Sequence, residues 1–355
     1  MSVARRLLVW YRAHRRDLPW RASSDPYAVW ISEAMLQQTQ VATVIPYYQR
    51  FMVLFPTVEA LAAADVGAVL KAWEGLGYYS RARNLHRAAA VVVDGHGGSL
   101  PGSLDGLKRL PGIGPYMAGA IGSIAFGLPV PVLDGNVERV LARRHRIGDP
   151  IKQSATRKRL WQLAGELVPK TGSGDFNQAM MELGATVCTP KNPSCDVCPV
   201  SGDCAAFAFG DAGSYPVKSA KKPVPHHDIA VGLVEKENRI LLVRRPEKGL
   251  LGGLWEFPGG RVEGGEGVAD SVVRQLAERF GLEVETGTGL PPVSHAFTHR
   301  KVTLHPFHCN VLGGRVARTY HAEHRWVRRS ELAGYPLPRA HQHIVRELEQ
   351  GDLDG

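Results

Sequence analysis

Four cysteines lie close together between positions 188 and 204, spaced C-x6-C-x2-C-x5-C, at Cys188, Cys195, Cys198 and Cys204. Thiolates this close commonly bind one soft metal centre, and four of them can complete the coordination of a [4Fe–4S] cluster. A structural zinc ion is the alternative because zinc also takes four thiolates. Zinc sites usually consist of two separated C-x2-C pairs, and here only Cys195 and Cys198 form such a pair. The spacing therefore favours an iron–sulfur cluster over zinc.

Two acidic residues occupy segments in which a carboxylate could serve either structure or chemistry. Asp134 follows the apolar run Pro131–Leu133 and precedes a basic helical segment, so it is predicted to cap that helix. The helix N-terminus would then keep its carboxylate ionised. Glu33 lies beside an apolar helix face, where a glutamate is usually solvated. From their surroundings alone, Asp134 is predicted to cap a helix and Glu33 to lie at the surface.

A glycine-containing turn at Leu110–Tyr116, L-P-G-I-G-P-Y, separates two helical segments. Gly112 and Gly114 let the backbone approach a partner closely, and N–H groups at the start of the next helix can bind a phosphate oxygen. A plain tight turn between helices explains the same glycines. This turn by itself leaves both interpretations open.

The composition of the chain limits its class and its partners. Its 355 residues are enough for two domains, and the apolar fraction of 44% and charged fraction of 22% are typical of soluble globular proteins. The net charge of +9 predicts an anionic partner, nucleic acid before membrane. No apolar run approaches the length of a membrane span, and Leu7–Tyr11 is too short for a signal peptide. With Cys309 predicted to be a buried thiol, the cysteine pattern favours the cytoplasm, or the nucleus of a eukaryote.

The candidate residues lie in a predicted helical first half. Asp25 and Pro26 have the residue types of an N-cap and a first helical position, and apolar residues then repeat with helical period. Further helices are predicted over Val58–Trp73 and Arg157–Val168. The region 1–204, including the cysteine loop, is therefore predicted to be an all-α domain.

The hydrophobic period changes after residue 226. Residues 205–226 are polar and contain prolines, which predicts an interdomain connector. The region 227–355 contains β-branched runs and one helical segment, so it is predicted to be an α+β domain and the chain to be multidomain. The predicted segments are a strand hairpin, a helix and a further strand, at Ile229–Val234 with Ile240–Arg244, at Asp270–Arg279 and at Lys301–Leu312.

Taken together, the turn L-P-G-I-G, the run V-L-D-G-N about twenty residues later and the cysteine loop resemble the helix–hairpin–helix DNA glycosylases of the endonuclease III superfamily. In that superfamily the aspartate, here Asp134, faces the sugar of an extruded nucleotide. The glycosylase/lyases carry a lysine nucleophile on the second hairpin helix, where this chain has Tyr116. The resemblance is therefore to the monofunctional branch, which cleaves the glycosidic bond with water.

Three further segments resemble the MutY-type adenine DNA glycosylases: S-E-A-M-L-Q-Q-T-Q-V at 32–41, G-L-G-Y-Y-S-R-A-R-N at 75–84 and D-F-N-Q-A-M-M-E-L-G at 175–184. The resemblance covers nearly all of residues 10–204. It implies that Glu33 protonates adenine and later activates water, and that Asp134 stabilises or transiently traps the sugar cation. It also implies that Tyr116 supports the sugar and Asp134, and that Asn136 helps to position them.

The same resemblance implies how DNA is bound. Adenine must leave the duplex, and Gln38 and Tyr78 are expected to wedge into the base stack beside the lesion. The side chains expected to line or border the adenine pocket are Trp20, Arg21, Leu36 and Gln178. Tyr79 is expected to pack in the core. The arginines at Arg81, Arg83 and Arg139–Arg146 could be solvated or could contact phosphates.

A Nudix-box frame, G-x5-E-x7-R-E-U-x-E-E-x-G-U, begins at Gly260, but Gln275 and Arg279 replace two of its glutamates. A Mg²⁺ site needs that carboxylate cluster, so no Mg²⁺-dependent hydrolase site is expected. In MutY-type enzymes this domain resembles 8-oxo-dGTP hydrolases and helps to recognise 8-oxoguanine. The family's F-S-H lesion probe corresponds to Phe297-Thr298-His299 here.

The chain is therefore expected to be an enzyme that removes adenine opposite 8-oxoguanine or guanine from double-stranded DNA. It is expected to act as a monomer with one [4Fe–4S] cluster and without a membrane partner. Its expected location is the nucleoid of a bacterium or the nucleus of a eukaryote. An endonuclease III-like pyrimidine glycosylase/lyase would need a lysine in place of Tyr116. The remaining alternatives are a non-catalytic lesion binder, which does not explain the presence of both Glu33 and Asp134, and a Nudix nucleotide hydrolase.

Overall fold

Helices form the first part of the chain and a mixed sheet forms the second, in a computed structural model that describes residues 1–219, 223–297, 300–316 and 320–351. The helices are α1 Val3–His14, α2 Pro26–Leu36, α3 Val41–Leu54, α4 Val58–Ala63, α5 Val66–Ala72, α6 Ser80–His96, α7 Leu104–Arg109, α8 Pro115–Ile124, α9 Gly135–Arg144, α10 Ser154–Leu167, α11 Ser173–Thr186, α12 Ala205–Ala208, α13 Val268–Phe280 and α14 Arg339–Gly351. The strands are β1 His226–Lys236, β2 Arg239–Arg244, β3 Trp255–Glu256, β4 Gly259–Arg261, β5 Leu282–Gly289, β6 Val293–Ala296, β7 Lys301–Gly314 and β8 Glu323–Val327.

Two compact units make up the chain: Met1–Ala63 with Asn84–Lys221, and Ala64–Arg83 with Lys222–Gly355. Residues 64–83 thus group with the second unit, and the sequence had assigned them to the domain 1–204. Within the described ranges, each helix is too short or too polar to cross a bilayer.

The helix predicted over Val58–Trp73 is two helices, α4 and α5. The break has a local cause: the Asp65 carboxylate accepts hydrogen bonds from Gly67 N at 2.8 Å and Ala68 N at 3.3 Å, so a new helix starts there. The predicted start of α2 is confirmed, because Asp25 accepts from Ala28 N at 2.8 Å and Pro26 occupies the first turn.

Helix α2 is enclosed by protein on every side. All nine residues from Tyr27 to Met35 are buried, and α2 packs against α3 and α8. A helix that is buried all round has no solvated face for its polar residues. Glu33 is only 5% exposed, so the surface position that its local sequence alone suggests is not found, and its burial agrees with the site role that the resemblance implies.

Helices α9 and α11 approach each other closely where the candidate site lies. A Cβ atom placed on Gly184 of α11 would lie 2.5 Å from Cβ of Asn136, in the first turn of α9. Only glycine allows this contact, which holds the first turn of α9 against α11.

The second unit is a layered α/β arrangement around one mixed sheet. Strands β1 and β2 form the predicted antiparallel hairpin, whereas β1 and β7 pair in parallel from His226/Lys301 to Glu235/Asn310. Because successive strand residues point to opposite faces, Val231 and Leu233 pack with α14, and Ala230 and Val234 pack with α13. The predicted α+β class is thus confirmed, and Cys309 is a buried thiol as predicted.

Candidate active site and cluster loop

Three elements of the helical unit direct their chemistry-bearing side chains into one cavity of about 730 Å³. Glu33 comes from the buried helix α2, Tyr116 from the first turn of α8 and Asp134 from the N-cap of α9. The cavity is also lined by the other residues that the sequence placed near adenine or the sugar: Trp20, Arg21, Leu36, Gln38, Asn136 and Gln178. The fold therefore brings together residues that are up to 158 positions apart in the chain, from Trp20 to Gln178.

Glu33 is the most unusual titratable group in this cavity. Burial raises the pKa of Glu33 to about 7, and the nearby Asp134 carboxylate adds to this increase. Tyr116 donates a hydrogen bond from its hydroxyl to Glu33 Oε2 at 2.6 Å, and this bond and the charge of Arg21 act in the opposite direction. A carboxyl group with this pKa holds a proton near neutral pH and can give it up, as a general acid must.

Asp134 is held in a fixed position by the start of its own helix. Its Oδ1 accepts from Asn136 N at 3.0 Å and from Val137 N at 2.8 Å, and its Oδ2 accepts from Asn136 Nδ2 at 2.8 Å. The predicted N-cap is confirmed. Burial raises the pKa of Asp134 above its usual value, while these hydrogen bonds favour the carboxylate. These three hydrogen bonds fix the orientation of the Asp134 carboxyl group in the cavity, near Glu33.

The hydroxyl of Tyr116 contacts Glu33 and lies 3.4 Å from Met181 Sδ. The resemblance had placed this residue at the sugar and Asp134. Its hydrogen bond in the structure is with Glu33, and its support of the sugar and Asp134 stays a prediction. Burial and both carboxylates raise the pKa of Tyr116 well above its usual value, so this hydroxyl stays a hydrogen-bond donor.

A buried ion cluster in the cavity wall was not found from the sequence. Glu182 on α11 is 1% exposed and accepts from Arg16 at 2.7 and 2.9 Å and from Arg21 at 2.8 Å. Burial raises the pKa of Glu182, but the hydrogen bonds from the two arginines outweigh this effect and lower it to about 2. The motif containing Glu182 had been noted in the sequence, but nothing in its spacing shows which cations it meets.

The two residues proposed from the sequence as wedges share an unusual backbone. Gln38 has a φ of 59° and is exposed, and Tyr78 has a φ of 49° and is 44% exposed. Both conformations are left-handed, which is rare for residues with a side chain. Arg81 lies 5.5 Å from the Tyr78 ring centroid. Tyr79 is buried as predicted, at 5% exposure.

The glycine-containing turn has the geometry of a tight connection between α7 and α8. Gly112 has a φ of 80°, and a Cβ there would lie 2.5 Å from Cβ of Asn84. Gly114 has ordinary extended backbone and stands at the N-cap of α8 without a side-chain cap. The tight-turn interpretation is confirmed, and a phosphate contact at the start of α8 stays a prediction.

The four predicted ligand cysteines surround one small cavity between α9, α12 and the loop 188–204. All four are partly buried thiols, so their chemistry fits a four-thiolate cluster. Arg143 donates to Cys188 Sγ at 3.3 Å and to Thr189 O at 2.7 Å, and contacts Ala212 O and Tyr215 O at 2.9 and 3.1 Å. One buried guanidinium therefore fastens the loop and the following segment to α9.

The expectation that the basic residues of α9 are solvated or contact phosphates is wrong for Arg139 and Arg143. Arg143 is 1% exposed, and Arg139 is 8% exposed and donates to Cys188 O at 2.7 Å, Gly184 O at 2.6 Å and Asn136 Oδ1 at 2.8 Å. The end of α11 and the loop 188–204 leave carbonyl oxygens that need donors, and an arginine side chain has five N–H donors. These two side chains supply them.

The Nudix-box residues of the second unit make contacts unlike those of a carboxylate cluster. Arg279 donates to Gly259 O at 2.6 Å, and Gln275 donates to Arg261 O at 3.1 Å. Glu266 pairs with Arg274 at 2.6 Å, which lowers the pKa of Glu266 to about 2. Gln275 and Arg279, which stand in place of the two glutamates, thus hold the backbone of β4 through a neutral and a cationic group.

Only one residue of the predicted lesion probe belongs to the described part of the chain. Phe297 packs at the edge of the core, and its ring centroid lies 4.6 Å from that of His295. Its N–H donates to Arg300 O at 2.8 Å. Thr298 and His299 lie outside the described residues.

Comparison with known proteins adds an independent assignment. Residues 31–166 match the model of the HhH-GPD superfamily of base excision DNA repair proteins, 188–204 match the iron–sulfur binding domain of endonuclease III, and 230–347 match the NUDIX domain. A solved thermostable thymine-DNA glycosylase is 31% identical, with a TM-score of 0.54 over 58% of this chain and 95% of that one. Fold and site thus define a helix–hairpin–helix DNA repair protein with an iron–sulfur loop.

Full-length relatives narrow this class. The adenine DNA glycosylase of Homo sapiens is 38% identical over 98% of this chain and 74% of its own length, and that of Arabidopsis thaliana is 40% identical over 87% and 57%. The chain belongs to the adenine DNA glycosylase family. The predicted [4Fe–4S] cluster is thereby confirmed over zinc, with Cys188, Cys195, Cys198 and Cys204 as the residues that would hold it.

Proposed function

We propose that this protein hydrolyses the N-glycosidic bond of adenine paired with 8-oxoguanine or guanine in duplex DNA, as a monomer bound to chromosomal DNA. The observation that carries the proposal is a carboxyl group with a pKa of about 7, Glu33, in the same cavity as the preorganised carboxylate Asp134. Two carboxyl groups in opposite protonation states are what hydrolysis of a glycosidic bond requires.

We assign the proton to Glu33 and the negative charge to Asp134, whose oxygens accept three hydrogen bonds, and the reaction follows from this assignment. Glu33 donates its proton to a ring nitrogen of adenine, and the bond between the base and C1′ then breaks with its electrons going to the base. The Asp134 carboxylate stabilises or briefly traps the sugar cation. Glu33, now a carboxylate, accepts a proton from water as the water oxygen attaches to C1′. The products are free adenine and an abasic site in an unbroken strand.

The other site residues have supporting roles in this proposal. Tyr116 orients Glu33, and Asn136 holds Asp134. Gln38 and Tyr78 wedge beside the extruded nucleotide, Gly112 and Gly114 approach the DNA backbone, and the adenine pocket is lined by Trp20, Arg21, Leu36 and Gln178. The [4Fe–4S] cluster, when bound, orders the loop 188–204.

We further assign residues 1–204 to the glycosylase domain, 205–226 to a connector and 227–355 to a Nudix-like domain that reads the opposite base through Phe297-Thr298-His299. The action on chromosomal DNA implies the nucleoid of a bacterium or the nucleus of a eukaryote. An endonuclease III-like glycosylase/lyase is less well supported, because Tyr116 occupies the position of the required lysine.

Single-turnover base release tests the proposal, with duplexes that carry adenine opposite 8-oxoguanine, guanine or thymine and a duplex with thymine glycol. We expect fast adenine release from the first, slower release from the second and none from the A·T duplex. Release of thymine glycol with strand cleavage and without adenine would support the glycosylase/lyase instead. Gel filtration with and without DNA tests the monomer.

The role of the second domain has its own test. We expect Thr298→Ala to reduce adenine release opposite 8-oxoguanine more than opposite guanine, since the variant removes a hydroxyl from the proposed probe. Thr303→Ala, on β7, is the matched control. An equal reduction with both opposite bases would contradict lesion reading at Thr298.

A further inference from the structure

The buried carboxylate of Glu182 binds the two arginines of the cavity wall. It accepts from the side chain of Arg16 at 2.7 and 2.9 Å, from Arg16 N at 3.0 Å and from Arg21 Nη2 at 2.8 Å. Arg21 in turn donates to Arg16 O at 3.0 Å, and its guanidinium lies 5.4 Å from the Tyr11 ring centroid. Glu182, Arg16 and Arg21 all line the cavity that contains Glu33.

This arrangement has two effects, one geometric and one electrostatic. Arg21 is 11% exposed in its side chain, so its position is fixed by its few partners, of which Glu182 is the charged one. The positive charge of Arg21 acts against a protonated Glu33, because it favours the Glu33 carboxylate. The Glu182 carboxylate, 2.8 Å away and 1% exposed, offsets part of that charge.

We propose that Glu182 is a positioning residue of the base-release reaction: it fixes Arg16 and Arg21 in the wall of the adenine cavity and offsets their charge beside the general acid Glu33. The proposal rests on the function proposed above. Glu182 itself acts through the arginines and is not assigned a contact with the substrate.

Other charges face Glu33 and have to be held constant in a test. Three side chains interact with Glu33: Tyr116 on α8, Asp134 at the start of α9, and Arg21. The remaining charged residues of the cavity wall are Arg16, Glu138, Arg139, Lys152, Arg157 and Glu182. A change at Glu182 alone leaves the charges of all the other residues unaltered, so a shift in the titration of Glu33 can be assigned to the loss of the Glu182 carboxylate and the unpaired arginines.

The test is the pH dependence of single-turnover adenine release for Glu182→Gln, Arg21→Gln and the double variant. Glutamine keeps the size of Glu182 but carries no charge, so the alkaline limb of the Glu182→Gln profile should move to lower pH and the rate at neutral pH should fall about tenfold or more. Arg21→Gln should move the limb to higher pH. The double variant should lie between the two single variants, since the charge that Glu182 offsets is then absent.

A merely structural role for Glu182 predicts a different result. The rate of Glu182→Gln would then fall by the same factor at every pH, with the alkaline midpoint unchanged, and this outcome overturns the proposal. Glu166→Gln, an exposed position on α10, is the matched charge control. If Glu182→Gln does not fold, the direction of the Arg21→Gln shift decides, because a shift to lower pH or none contradicts the proposal. If the wild-type enzyme releases no adenine, that result contradicts the proposed function and not the role of Glu182 alone.

Discussion

The hydroxyl of Tyr116 donates a hydrogen bond of 2.6 Å to Oε2 of Glu33, although the two residues are 83 positions apart in the chain. The bond stabilises the ionised form of a carboxyl group whose burial favours the protonated form. Tyr116 therefore limits how strongly Glu33 holds its proton, which matters because a general acid must also release that proton during the reaction.

Removing this hydrogen bond should make Glu33 a weaker acid. In Tyr116→Phe the pKa of Glu33 should rise from about 7, so the alkaline limb of the rate of adenine release should move to higher pH by about one unit. The measurement is single-turnover release between pH 5 and pH 9. Tyr47→Phe, at a tyrosine of α3 outside the cavity, is the control. An unchanged midpoint would show that the 2.6 Å contact does not govern the acid.

Replacing Glu33, the proposed general acid, should lower the rate of adenine release and raise the stability of the fold at alkaline pH. Glu33→Gln should slow adenine release by roughly 10²–10⁴-fold because no proton is delivered to the base. The folded-state pKa of Glu33, about 7, lies above the usual 4.5, so its contribution to stability is present below pH 4.5 and lost as the pH rises through 7. The variant should therefore be more stable than wild type at pH 8, by at most about 3 kcal/mol, and similar at pH 4.

Urea unfolding at both pH values measures this difference. A stability gain of the same size at pH 4 and pH 8 would indicate better packing of glutamine and would contradict the titration of Glu33 as the cause.

Asp134 has a structural and a chemical role that one substitution can separate. Asparagine is also a good N-cap, so Asp134→Asn should keep α9 capped and change the free energy of unfolding by less than about 1 kcal/mol. Adenine release should nevertheless fall by at least about 10²-fold, because the neutral amide cannot stabilise the sugar cation as a carboxylate does. The measurements are thermal unfolding and single-turnover kinetics. Asp65→Asn, the equivalent cap of α5, is expected to change neither the rate nor the unfolding.

Arg143 should be required for stable binding of the iron–sulfur cluster. Arg143→Gln would remove donors from the partly buried acceptors Thr189 O, Ala212 O and Cys188 Sγ, each at a cost of at most about 1–3 kcal/mol. We expect less iron per protein molecule and faster loss of the cluster's visible absorbance in chelator. Arg159→Gln, on α10, is the control, and full iron content in Arg143→Gln would contradict this role.

The second domain should lack Mg²⁺-dependent hydrolysis. Wild-type protein is expected to release no pyrophosphate from 8-oxo-dGTP, because Arg279 places a cation where the Nudix box has a glutamate. The double variant Gln275→Glu with Arg279→Glu should gain Mg²⁺ affinity by calorimetry. Pyrophosphate release by the wild type would mean that the replaced box is still a hydrolase.

Local features of the fold followed directly from the sequence. Asp25, Asp134 and the turn at Gly112 act through neighbours within about three positions, so residue types were enough to predict them. The β1–β2 hairpin has the same local character.

Features that depend on packing between distant segments were not predictable in this way. The burial of Glu33 depends on α3 and α8 enclosing α2, although one signal was available, since Glu33 is the only charged residue in Pro26–Leu36. Arg139 and Arg143 donate to main-chain oxygens of a loop about 45 positions away. Every residue has such an oxygen, so the residue types do not show which ones an arginine will contact.

The left-handed backbone of Gln38 has a consequence for how the protein would examine DNA. A residue with a side chain in this conformation costs roughly 1–2 kcal/mol, and folding supplies that energy before any DNA is bound. If Gln38 enters the base stack as proposed, it meets the duplex with this backbone conformation already formed. The energy of contact would then be available for opening the base pair, and only pairs that already open easily would yield to it.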